Sequence, residues 1–175
     1  MAYAVVRTDR MFGTDNRAGL VSVHYKTATG DRGALENAAI QNGNVVKIGA
    51  LETGSREVYV GTTPAANDSI GAIALIASPE VIYDERKKNL DDFINEAGKI
   101  ARGYRLHSGD IFSVTKDALD GAATPVVGDV VELKAGTKLN VKAAATGATD
   151  GSTVVGTIID INIVGRYTYY AIQVA

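Results

Sequence analysis

Histidine is the side chain best suited to proton transfer and metal binding near neutral pH, and the chain holds two, His24 and His107. The string His107-Ser108-Gly109-Asp110 contains the three side-chain types of a nucleophilic triad. Its spacing works against one. Neighbours in an extended segment point to opposite faces, so His107 and Ser108 do not converge. No Gly-x-Ser-x-Gly elbow occurs. No His-x-x-x-His or His-Glu-x-x-His pair offers zinc ligands. Cysteine is absent, which removes a thiol nucleophile, a cysteine zinc site and a disulfide framework. Asp91 and Asp92 read as charges at a helix start, where the helix dipole favours them. Ala148-Thr149-Asp150-Gly151 lacks the alternating ligands of a calcium loop. Gly43-Asn44 and Gly128-Asp129 lack the frame of a phosphate-binding loop. The expectation is a protein that is not an enzyme and carries no cofactor and no metal.

Charge and composition narrow the partners. The net charge is -2 with both signs interspersed, and the longest basic run is Arg86-Lys87-Lys88. A nucleic-acid binder shows a basic stripe instead, so nucleic acid is not expected. The longest apolar run, Ala72–Ala77, is far short of a membrane span, and no membrane partner is expected. The opening residues, Met-Ala-Tyr-Ala-Val-Val-Arg, lack the pattern of a secretory signal. Hydrophobic residues make up 46% of the chain, yet aromatics only 6%, with no Trp. The interior is therefore expected to consist of small and β-branched side chains, in one domain or two small ones.

The elements that would position such residues are mostly strands. Thr153–Val174 reads as two strands joined at Gly165-Arg166. Ile159, Ile161 and Ile163 alternate with Asp160 and Asn162; Tyr167, Tyr169 and Ala171 alternate with Thr168, Tyr170 and Ile172. Period-2 alternation predicts one buried and one outward face. Further strands are expected at Ala2–Arg7, Leu20–Tyr25, Val45–Gly49, Glu57–Gly61, Gly71–Ala77, Tyr104–Leu106, Ile111–Val114, Val130–Leu133 and Thr137–Val141. The unbroken apolar run at 71–77 predicts a strand buried on both faces. Residues 8–19 read as a loop or arm, Thr27–Arg32 as a turn, Ala34–Ala39 as a single helical turn, and Ala143–Ser152 as a flexible loop. Gly109-Asp110-Ile111 and Gly128-Asp129-Val130 echo one another. In each, Gly supplies a positive φ and Asp accepts a local backbone hydrogen bond before a strand.

One helix is predicted, at about residues 84–97. Leu90, Phe93, Ile94 and Ala97 fall on one face; Asp84 or Asn89, the latter with Asp92, suits its start, and Gly98 suits its end, although Ile100 and Ala101 continue the face as far as Gly103. The fold class is then mainly β: barrel- or sandwich-like β-units with one central α-helix. The expected division is an N-terminal arm and β-unit (1–83), a helical insertion (84–98) and a C-terminal barrel-like unit (99–175). Tyr167 and Tyr169 share a face and Tyr170 takes the other. These tyrosines are candidates for core packing or for a partner surface.

The string Tyr83-Asp84-Glu85…Leu90-Asp91-Asp92-Phe93…Ala97-Gly98-Lys99…Arg102-Gly103-Tyr104-Arg105-Leu106…Gly109-Asp110-Ile111-Phe112-Ser113-Val114 resembles structural proteins encoded in the head-gene region of tailed bacteriophages. The Gly/Ala/Thr/Val-rich design resembles capsid decoration, or cement, proteins. The resemblance is one of pattern, over about residues 40–175. It implies a virion protein, made in the host cytoplasm, that binds the outer surface of the major capsid protein lattice and stabilises the expanded head. It is compatible with a homo-oligomer, a trimer over a local threefold, and leaves a monomer open. It also implies that Tyr3, Val5 and Arg7, in the strand Ala2–Arg7, add to a sheet of a capsid subunit, beside contacts at Tyr167, Tyr169 and Tyr170. The alternatives are another phage structural protein (a head fibre base, head-completion or tail protein), a small hydrolase, or a small β-sandwich carbohydrate-binding module.

Overall fold

The computed structural model describes residues 3–7, 19–29, 34–87 and 89–175. Ala2, residues 8–18 of the arm expected at 8–19, residues 30–32 of the expected turn and Lys88 of the basic triplet lie outside the described residues.

Short β-branched runs punctuated by Gly and Asn build the first sheet. Its strands are β1 (Leu20–Thr29), β2 (Ala34–Asn37), β3 (Val45–Leu51), β4 (Val58–Thr62), β5 (Ile73–Ile76) and β6 (Ala101–Arg105). Their order is β2-β1-β4-β3-β5-β6, and β6 also pairs with β1, from Leu20↔Tyr104 to Val23↔Ala101. That pairing closes β1, β4, β3, β5 and β6 into a barrel. A barrel of so few strands has a narrow lumen. Val21, Val23, Tyr25, Val46, Ala74, Ile76 and Ala101 fill it. Gly61 and Gly103 leave them room: a Cβ on Gly61 would stand 2.4 Å from Val23 Cγ1, and one on Gly103 3.0 Å from Val21 Cγ2. This lumen is one physical reason for the scarcity of aromatic bulk.

The second sheet contains β7 (Ile111–Thr115), β8 (Leu119–Gly121), β9 (Val130–Glu132), β10 (Leu139–Lys142), β11 (Val154–Val164) and β12 (Tyr167–Val174), in the order β7-β12-β11-β9-β10-β8. It wraps the outer side of β3 and β5. Ala74 and Ile76 point into the barrel, while Ile73, Leu75 and Ala77 point into a second core with Phe112, Val114, Val131, Leu139, Ile158 and Ile172. Residues 73–77 of the apolar run are thus buried, as expected, and lie between two cores; Gly71 and Ala72 belong to a 3-10 turn before the strand.

The Gly-Asp echo is a structural one. Gly109 (φ +89°) and Gly128 (φ +95°) precede Asp110 and Asp129. The Asp carboxylates accept the N–H of His107 (2.9 Å) and Val126 (3.0 Å). The Gly N–H groups donate to Val174 O (3.0 Å) and Ile158 O (2.8 Å). The two turns flank the β11–β12 hairpin, one feeding β7 beside β12, the other feeding β9 beside β11.

Several expectations need correction. The described residues of 84–97 contain no α-helix, only a 3-10 turn at Leu90–Asp92. Asn89 N–H does bond Asp92 Oδ2 (3.0 Å). The chain cannot continue helically, because Asn95 exchanges both main-chain bonds with Ile40 (3.0 and 2.9 Å). Those are the groups an i→i−4 ladder would need, and a segment rich in Asn and Asp has little propensity to resist the exchange. The described residues of 79–100 instead form an irregular flap. Its anchor is Asn42, 1% exposed. Asn42 Oδ1 accepts Ser78 N–H (3.0 Å) and Asn95 Nδ2 (3.1 Å), and its Nδ2 donates to Ser78 O (2.8 Å).

Ala34–Ala39, expected as a helical turn, contains β2, with Lys26↔Asn37 and Ala28↔Leu35 paired. β6, beyond residue 98, pairs within the first sheet. In β11 the register slips between Ile158↔Ile172 and Asp160↔Ala171. Ile159 is the extra residue of a bulge, which shifts the inward phase. Ile158 and Ile161 both face the core, while Ile159 is 40% and Ile163 78% exposed.

Candidate contact surface

The β11–β12 hairpin outruns both neighbours. β9 follows β11 only to Thr157↔Val130, and β7 follows β12 only to Thr115↔Tyr169. The projecting end carries Ile159, Ile163 (78% exposed) and Val164 (47% exposed). The turn at Val126–Asp129, bonded to Ile158, brings the exposed Val126 and Val127 beside the bulge. One projecting end of the second sheet thus gathers several exposed aliphatic side chains, an arrangement that suits a contact surface.

The outer face of this hairpin closes a cleft of about 530 Å³, lined by Val6, Arg7, Glu80, Leu90 and Val164–Tyr167 with Tyr169. Directly paired residues share a face, so Asp160, Asn162 and Val164 lie with Ala171, Tyr169 and Tyr167. The Arg7 guanidinium lies 5.4 Å from the Tyr169 ring centre, and that of Arg166 4.9 Å from Tyr167. The Tyr167 hydroxyl donates to Asp91 Oδ1 (2.8 Å), and Arg166 pairs with the same carboxylate. The cluster ties the hairpin tip to the flap. A larger open groove of about 980 Å³ runs along the flap's other side, past Leu20, Val81, Tyr83, Phe93 and Ile100.

The structure thus brings Arg7, Tyr167 and Tyr169 into one cleft. Tyr3 lies close by, its N–H on Asp91 O (2.9 Å). Val5 and Tyr170 are not in it. Val5 is buried, and Tyr170 faces the second core. Tyr169 is buried too, beneath Arg7, so Tyr3, Arg7 and Tyr167 are the half-buried members of the set. The segment 3–7 expected to join another protein's sheet pairs within its own chain: Val6 bridges Val114, Arg7 N–H donates to Ser113 O (2.8 Å), and Thr115 N–H donates to Val5 O (2.9 Å). It has already added itself to the β7 edge.

The two histidines stand apart from this surface. His24 projects from the barrel's outside onto Glu52, which also accepts from Lys26 Nζ (2.7 Å). The Lys26 bond, then that of His24, holds the Glu52 pKa below its ordinary value. His107 and Ser108 are exposed, and Asp110 is taken up by the His107 backbone. Among the described residues, no three His, Asp or Glu side chains are grouped to hold a metal ion.

Glu132 escaped the sequence reading. It is 1% exposed and accepts Asn140 Nδ2 (2.7 Å), Thr149 Oγ1 (2.7 Å) and Thr149 N–H (2.6 Å). It pins the loop at Ala143–Ser152 to the sheet. Burial pushes its pKa up; the Thr149 and Asn140 bonds outweigh that and leave it lowered. The available signal was an acid inside the apolar run Val130–Leu133. Comparison with family models, with curated proteins and with solved structures returned no match.

Proposed function

We propose that this chain is a structural protein of a tailed-phage virion. It binds the outer surface of the major capsid protein lattice and stabilises the expanded head. The observation that carries this reading is the projecting apolar hairpin end, Ile159–Val164, mounted on a body with two cores. A cement protein needs such a body and such a contact surface. Modest contacts, repeated over a lattice or shared within an oligomer, sum to strong attachment. The string from Tyr83 to Val114 adds its resemblance to phage head proteins. It runs along the flap and through β6 and β7.

The experiment mixes purified protein with expanded, undecorated capsids and images the particles. The expected result is repeated extra density over the head. Density at a single vertex would favour a head-completion role, and no added density would refute capsid binding.

A further inference from the structure

The open side of β11 has a defined chemistry. Beyond the bond from Gly128 N–H to Ile158 O, no described strand accompanies Ile159–Val164 on that side. The hairpin turn has two residues, Gly165 and Arg166, so Val164↔Tyr167 is the closing hydrogen-bonded pair. Alternate pairs in an antiparallel ladder turn their amides outward, which places the N–H and C=O of Ile161 and Ile163 on the open edge. Asp160 Oδ1 accepts the Ile161 N–H (2.9 Å), and Asp160 Oδ2 accepts Asn162 Nδ2 (2.8 Å). Both bonds are local and exposed. The segment has no Lys, Arg or Pro, the residues with which natural proteins commonly blunt an edge.

A row of main-chain donors and acceptors framed by Ile159, Ile163 and Val164 matches an extended strand with apolar side chains. Asp160, the one charged side chain of the segment, selects a basic residue on it. The β11 edge of a second copy would bring another Asp160 into the same short ladder. We propose that Ile159–Val164 receives an extended, apolar β-strand carrying Lys or Arg from the partner protein. The identity of that partner as a capsid subunit rests on the capsid-binding reading above; the edge itself does not.

The test uses the full chain with three variants: Ile163→Pro, Ile163→Lys and Asp160→Lys. Position 163 is largely exposed and its N–H points away from β12, so proline leaves the hairpin ladder intact. One arm titrates expanded capsids. The other adds a soluble peptide of alternating Val and Thr with one Lys, and follows hydrogen exchange at Ile163 and its neighbours. Wild type is expected to decorate capsids and to gain amide protection from the peptide. The variants should bind capsids at least tenfold more weakly and lose the protection, read in the proline variant at the neighbouring amides, since proline has none of its own. Wild-type decoration with undiminished variant decoration overturns the strand-acceptor edge and leaves capsid binding standing. Peptide protection without decoration overturns capsid binding and supports the edge. Neither signal overturns both. A wild-type dimer that Ile163→Pro dissolves overturns the heterologous strand in favour of a second copy.

Discussion

Replacing Glu132 tests whether the second sheet holds its long loop by a buried charge. Three donors meet the carboxylate: Asn140 Nδ2, Thr149 N–H and Thr149 Oγ1. Hydrogen bonds to an ionised group contribute roughly 1.5–3 kcal/mol each. Removing the carboxylate recovers several kcal/mol of desolvation, and the loop's donors can turn to water. Glu132→Ala should therefore cost about 2–4 kcal/mol at neutral pH. Glu132→Gln keeps the shape but sets an amide NH₂ against one donor, and should cost about 1–2 kcal/mol.

The pH dependence has a definite sign. The folded pKa lies below the ordinary 4.5, so the carboxylate's stabilisation is complete above about 4.5 and is lost as pH falls through the folded value. The stability gap between wild type and Glu132→Gln should be full at pH 7 and close on acidification below 4.5. Urea unfolding followed by tyrosine fluorescence measures it, since the chain has 8 Tyr and no Trp. Equal midpoints for wild type and Glu132→Ala, or a gap that widens in acid, would refute the reasoning.

Gly61→Ala should destabilise by roughly 1–3 kcal/mol, because its Cβ has only the buried Val23 methyl to displace. Adding Val23→Ala should return part of that loss; strict additivity in urea melts would show that the two do not share the barrel lumen. Asn42→Ala removes the partner of the Ser78 N–H and carbonyl and one of the two acceptors of Asn95 Nδ2, which keeps Ile40 O, and should cost about 2–3 kcal/mol. It should also loosen the flap, speeding chymotryptic cleavage at Tyr83, which is 93% exposed; unchanged cleavage and stability would show that Asn42 is not the flap's anchor.

Much of the strand content was legible because strands write their environment into short stretches of chain. The apolar run ending at Ala77 announced a buried strand, and the echoed Gly-Asp turns announced the local bonds of their Asp carboxylates. The turn Gly165-Arg166 fixed a hairpin. The contact surface was legible only in part. Arg7, Tyr167 and Tyr169 do meet in one cleft, yet Arg7 lies about 160 residues from the two tyrosines in the chain, and nothing local separates the three from Val5 and Tyr170.

By itself the sequence determined the β class, the closing hairpin and its turn, the doubly buried strand and the small-residue interior. Each follows from side-chain size and alternation within a few residues. Tertiary structure decided the rest. The helical spacing of Leu90, Phe93, Ile94 and Ala97 yielded to Ile40, which takes the Asn95 backbone from across the chain. One bulge at Ile159 exposed an isoleucine that alternation alone would bury. The segment 3–7 found its edge on β7, and Glu132 found three donors from β10 and from the loop that follows it. In each case the deciding partner lies on another element, beyond the reach of local alternation, and a buried backbone or carboxylate must be satisfied by whatever the fold brings to it.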